Sequence, residues 1–170
     1  MNNMESLIKK HNAKILNQKH DATDKKCNCR IKDKCPLAGK CLNKDIVYKA
    51  SVKTDNNLKI YFGLSEGEFK TRFNNHKMSF KNSNYAKSTE LSKYIWNLKD
   101  RDQLFDIRWD IAAKSNSYKP GARRCNLCLM EKVLISEGKK SNMLNKRSEL
   151  VAMCRHKNKF LLKSIKNTNV

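Results

Sequence analysis

Cysteine spacing constrains this chain more than any other feature. Cys27, Cys29, Cys35 and Cys41 crowd into one short segment, and Cys125-x-x-Cys128 forms a second group with Cys154-x-His156 further on. Thiols at such spacing become disulfides in an oxidising compartment and metal ligands in a reducing one. A count of seven leaves a pure disulfide framework one partner short. The opening residues, MNNMES, hold no apolar stretch of the kind that directs export, so an intracellular, reducing setting is expected. Adding His156 to the seven cysteines makes eight soft ligands, enough for two tetrahedral zinc sites. Cys35-Pro36-Leu37-Ala38-Gly39 has the turn chemistry to fold the first group back on itself. In the second group, residues two apart on a regular helix point roughly 200° away from each other. Cys154 and His156 can therefore share an ion only if the helix breaks there. The competing reading is buried free cysteines packing as small hydrophobes.

Charge supplies the partner class. Lys+Arg 37 against Asp+Glu 16 leaves a net charge of +21 on 170 residues, a length that fits one main core and a short appendage. Such a chain repels itself unless a polyanion neutralises it, so nucleic acid is the first partner to expect. An anionic membrane is the second, but no apolar run is long enough to span a bilayer and no lipidation signal is present.

The pattern along the chain divides it into a polar lead at 1–26, flexible or helical, a cysteine-rich segment at 27–44, and a domain at 45–166. Residues 46–52 (IVYKASV) and 58–63 (LKIYFG) are β-branched and aromatic around a turn at Asp55-Asn56-Asn57, which predicts a hairpin. Ser65 and Glu68 match a capping box, which predicts a helix starting there. Its apolar stripe is Phe69, Phe73 and Phe80; His76 falls on that stripe and Arg72 flanks it, while Lys70 and Lys77 take the outer face. Polar groups on an inner face are costly unless paired or placed in a cleft. The bland alternatives are a satisfied core histidine and an arginine snorkelling at the edge of the stripe. A second helix is expected over 88–99. A third strand follows from the alternation of Phe105, Ile107, Trp109 and Ile111, and another helix from the pattern over 126–137. Glu131 sits there between Leu127 and Leu134 on an apolar face, as an ion-pair partner or as a metal ligand. A last helix is expected from about residue 148, including Leu150, Val151, Met153, Phe160 and Leu161.

These pieces resemble, in order, the GIY-YIG nuclease superfamily. Ile46-Val47-Tyr48 and Tyr61-Phe62-Gly63 are similar to its paired signature, with Ile46 where glycine is usual. Arg72 stands in the helix after the second motif, Glu131 in a later helix, and Asn145 after Leu144. The likeness covers roughly residues 46–160. The upstream cysteine cluster, the run KSTELSKYIW (87–96), Cys125-Asn126-Leu127-Cys128 and the segment CRHKNKFLL (154–162) narrow it to the endonuclease domain of Penelope-like retroelements.

The resemblance implies an α+β fold, a small three-stranded antiparallel sheet flanked by helices with zinc-binding appendages. It also implies a metal-dependent DNA endonuclease acting in the nucleus beside a reverse transcriptase, in cis or in trans, with RNA as a further partner in a retroelement particle. By that resemblance Tyr48 activates the attacking water with help from His76 or Tyr61, and Arg72 clamps the phosphate with its planar fork. Glu131 holds one Mg²⁺ (or Mn²⁺) that stabilises the leaving oxygen, and Asn145 braces the fold or orients a neighbour. A tyrosine is a poor base near neutral pH, so nearby cations are expected to lower its pKa. The zinc sites are expected to be structural, because all-protein ligation leaves no open position. Lys70, Lys87, Arg123, Arg124 and Lys157 are the candidate contacts to the DNA backbone. The rival reading is a zinc-stabilised nucleic-acid-binding module without catalysis; another is a repair or homing nuclease of the same superfamily.

Overall fold

Two runs of β-branched and aromatic residues form the hairpin that organises the molecule. The structure, a computed structural model, describes residues 3–16, 26–115, 125–151 and 153–154. Strands β1 (Ile46–Lys53) and β2 (Leu58–Ser65) pair antiparallel, and β3 (Asp106–Lys114) joins the other edge of β1, so the sheet order is β2-β1-β3. β1 is central and covered on both faces. Ile46, Val47 and Tyr48 are buried in succession, and from Tyr48 onward the strand alternates, with Ala50 and Val52 buried and Lys49, Ser51 and Lys53 less so.

Helices cover both sides. On one face Ile46, Tyr48, Ala50 and Val52 meet Phe69 of α2 (Phe69–Lys81) and Leu91, Ile95 and Leu98 of α3 (Glu90–Asp100), with Trp109 closing the cluster. On the other face Val47 and Phe62 meet Leu127 and Ile135 of α4 (Asn126–Glu137), with Leu150 of the short α5 (Arg147–Val151) packed alongside. An N-terminal helix, α1 (Met4–Leu16), occupies part of the polar lead. The fold class is thus α+β with a three-stranded antiparallel sheet, as expected. Among the described residues no helix is long and apolar enough to cross a membrane.

Three boundaries differ from the sequence reading. The capping box at Ser65 and Glu68 does not form: Ser65 ends β2, its hydroxyl donates to the Gly67 carbonyl at 2.8 Å, and α2 begins at Phe69 with no side-chain cap. Its first amides are taken instead by the cysteine segment, Phe69 N–H donating to Asn43 O at 3.0 Å and Lys70 N–H to Cys41 O at 2.8 Å. α3 starts at Glu90 rather than 88 because Thr89 is its N-cap, accepting from Ser92 N–H at 3.0 Å. β3 runs on to Lys114, three residues past the alternation, held by the central strand. Of the last predicted helix, Leu150 and Val151 lie in α5, Met153 lies exposed beyond its end, and Phe160 and Leu161 lie outside the described residues.

Candidate functional site

The hairpin register decides what the two tyrosines share. Tyr48 pairs with Gly63 and Tyr61 with Ala50, so both rings stand on the face covered by α2 and α3. Tyr48 is fully buried and stacks edge-on against Phe69 and His76. Its hydroxyl lies over Gly63: a Cβ there would sit 2.4 Å from that oxygen, so only glycine fits opposite this tyrosine.

The predicted inner face of α2 reaches the same point. The Tyr48 hydroxyl and His76 Nε2 are 2.7 Å apart, and Arg72 Nε donates to the same hydroxyl at 3.2 Å. Burial, with Arg72 second, lowers the His76 pKa from 6.5 to about 3, so the ring is neutral. Burial raises the Tyr48 pKa, and the opposing pull of Arg72 is weaker. Arg72 does pull it down, as expected of a nearby cation, but full desolvation of a phenolate outweighs one guanidinium and the net direction is upward. A raised pKa favours the protonated phenol, and with Arg72 donating to its oxygen the hydroxyl is placed to donate to the Nδ1-protonated tautomer of His76. Tyr61, also buried and pushed upward, has its ring 6.2 Å from that of His76.

Two clefts open beside this cluster, and Arg72 and Asn75 line both. One, about 310 Å³, is also lined by Glu66, Glu68 and Glu131. The other, about 560 Å³, runs from His76 past Ser79 to Tyr85, Ser88 and Thr89. Glu131 thus reaches the neighbourhood of Arg72 from α4, across the edge of the sheet. Asn145 braces β2: Phe62 N–H donates to its Oδ1 at 2.7 Å, and its Nδ2 donates to Phe62 O at 2.8 Å and to Glu149 Oε2 at 2.6 Å. Asn75 and Glu149 were not singled out from sequence. Asn75 follows Arg72 by three positions, which puts it on the same helical face; Glu149 follows Asn145 by four.

Both cysteine groups come together. The Sγ atoms of Cys27, Cys29, Cys35 and Cys41 all lie within 4.8 Å of one another, with neighbouring pairs 3.5 to 3.6 Å apart. Four thiolates around zinc at about 2.3 Å would stand roughly 3.8 Å apart, so the set fits a tetrahedral ion, and no described pair is at disulfide distance. Burial and the neighbouring thiols push Cys41 up to about 12. Burial would raise Cys35 too, but bonds from the Leu37 and Gly39 amides bring it down to about 6. Cys125, Cys128 and Cys154 form the second group, able to bind zinc with a further ligand; His156 lies outside the described residues. Among the described residues these two groups are the only clusters of three or more such ligands, and Glu131 belongs to neither.

Of the basic residues expected to meet DNA, Lys87 is exposed, whereas the Lys70 ammonium is engaged by the Asn28 side chain. Arg123, Arg124 and Lys157 lie outside the described residues. Compared with protein-family models, curated proteins and solved structures, the chain matches none.

Proposed function

We propose that this protein is a GIY-YIG-type, divalent-metal-dependent DNA endonuclease whose cysteine clusters are structural zinc sites. The observation that carries the reading is the bonded set of Tyr48, His76 and Arg72 at the junction of two clefts, one of them lined by Glu131. A polar set so costly to bury, on a chain of net charge +21, is what phosphodiester cleavage asks for.

Arg72 spends one donor on Tyr48, and the rest of its planar fork is available to a phosphate entering from the cleft that no carboxylate lines. The Tyr48 hydroxyl then takes the proton of the attacking water as its own proton passes to His76 Nε2. The phosphate's charge offsets that of Arg72 and makes the resulting imidazolium less costly. Mg²⁺ binds through one or two carboxylates, with waters and phosphate oxygens completing its shell, so Glu131 alone suffices as the protein ligand. Bound there, the ion supplies charge stabilisation for the leaving 3′ oxygen. Tyr61 shapes the pocket around His76, and Asn145 holds the strand that carries Tyr61 through both backbone groups of Phe62. The likeness to Penelope-like elements makes a nicking role in retroelement integration, with a reverse transcriptase as partner, the setting we favour.

One observation favours the rival reading of a binding module: Tyr48 is sealed from solvent in the free protein. The two separate on product analysis. Linear, nicked and branched DNA incubated with the protein and Mg²⁺ or Mn²⁺ should yield 3′-hydroxyl and 5′-phosphate ends. Binding with no new ends under either ion leaves the module.

A further inference from the structure

The two clefts beside Arg72 differ in charge, and that difference orients a nucleic-acid strand. The smaller is lined by three carboxylates, Glu66, Glu68 and Glu131, which attract a cation and repel a polyanion. The larger has no carboxylate among its lining residues; it offers Arg72 and His76 at one end and Tyr85, Ser88 and Thr89 at the other. Its volume of about 560 Å³ falls within the range of small-ligand sites, roughly 300–1,000 Å³.

Tyr85 lines this cleft and is 54% exposed, whereas Tyr48, Phe69, Phe73, His76 and Trp109 pack their rings against one another in the core. Its backbone is nonetheless held firmly. Its N–H donates to Asn82 O at 3.0 Å, its carbonyl accepts from Ser88 N–H at 3.0 Å, and Asn82 Oδ1 accepts from Asn84 N–H at 3.0 Å. A half-solvated ring on a held backbone, in a cleft that Arg72 also lines and no carboxylate does, is a stacking platform with little backbone ordering left to lose. Lys81 and Lys87, both exposed, bracket it in sequence for the flanking phosphates.

We infer that the larger cleft receives an unstacked base of a single DNA strand next to the scissile phosphate, with Tyr85 stacking on that base and Arg72 holding the phosphate. This rests on the nuclease reading and extends it to substrate class. A base inside a continuous duplex cannot reach Tyr85 without leaving its stack, so sites with an unpaired nucleotide (gaps, flaps, frayed junctions) are preferred over intact duplex.

The test uses the full chain carrying Glu131→Ala, so that substrate persists, with 2-aminopurine placed in turn at each unpaired position of a flap junction. Stacking on Tyr85 should change its fluorescence at one position. Adding Tyr85→Ala should abolish that change and weaken flap binding roughly ten- to hundredfold, with duplex binding altered less than twofold; Tyr85→Phe should retain both. The same signal and the same flap affinity with Tyr85→Ala would overturn the inference. Cleavage by the unsubstituted chain is read in parallel. If it cuts while the signal is indifferent to Tyr85, the base site fails and the nuclease reading stands. If it cuts nothing, the nuclease reading fails, and this inference with it.

Discussion

Removing the zinc we propose for the Cys27–Cys41 cluster should free the helix that carries Arg72 while leaving the sheet folded. The first turn of α2 lacks a side-chain cap, and its Phe69 and Lys70 amides are held by the carbonyls of Asn43 and Cys41. Leu37, between two of the ligands, is 4% exposed and belongs to the main core. Two backbone hydrogen bonds and one buried leucine amount to roughly 3–6 kcal/mol. Small domains are stable by about 5–15 kcal/mol, so losing this attachment frays α2 without melting β1. Structural zinc contributes about 10–16 kcal/mol of apparent binding energy in finger peptides, ample to hold the segment against that loss. The assay is hydrogen exchange during chelation, with Cys41→Ala as a second route to the same state. Phe69 and Lys70 should lose at least a hundredfold of protection, about 2.7 kcal/mol, while the β1 amides around Tyr48 change little. Equal protection of Phe69 and Lys70 with and without zinc would refute the reasoning.

Three further outcomes follow from the same geometry. Gly63→Ala places a Cβ 2.4 Å from the Tyr48 hydroxyl; it should cost about 1–3 kcal/mol and reduce cleavage at least tenfold, whereas unchanged melting and turnover would mean that the hydroxyl does not lie over that residue. His76 is held at about 3 against an ordinary 6.5, so below 6.5 the unfolded chain takes up a proton that the folded one refuses. Its contribution is therefore present above 6.5 and lost as pH falls from 6.5 towards 3. Denaturant-derived stability should fall in that window more steeply than in His76→Gln, by about 1.4 kcal/mol per pH unit, and parallel slopes would contradict a buried neutral ring. Asn145→Ala removes both bonds to the Phe62 backbone; a loss of about 2–4 kcal/mol with DNA binding within twofold is expected in melting and binding assays, and a binding defect without destabilisation would assign Asn145 to the substrate instead.

Much of the site was legible because it follows from short-range pattern. The β-branched hairpin, the Phe69, Phe73 and Phe80 stripe, and the intrusion of His76 and Arg72 beside it are all local periodicities, and α2 turns those residues inward to Tyr48. The cysteine group at 27–41 was legible for the same reason. What escaped depends on distant partners. Ser65 and Glu68 carry the local signal for a cap, but carbonyls from the cysteine segment reach the α2 amides first. The raised pKa of Tyr48 comes from complete burial, which no window of sequence contains. Asn75 is an ordinary exposed polar helix residue until two clefts are seen to meet on it, and Glu149 gains meaning only through Asn145.

The most direct test of the central claim is cleavage of supercoiled plasmid in Mg²⁺ by the unsubstituted protein, Glu131→Ala and Arg72→Ala, with DNA binding measured alongside. The account predicts nicking by the first and binding without nicking by the two variants. Equal binding by all three, with no cutting even when Mn²⁺ replaces Mg²⁺, would contradict it.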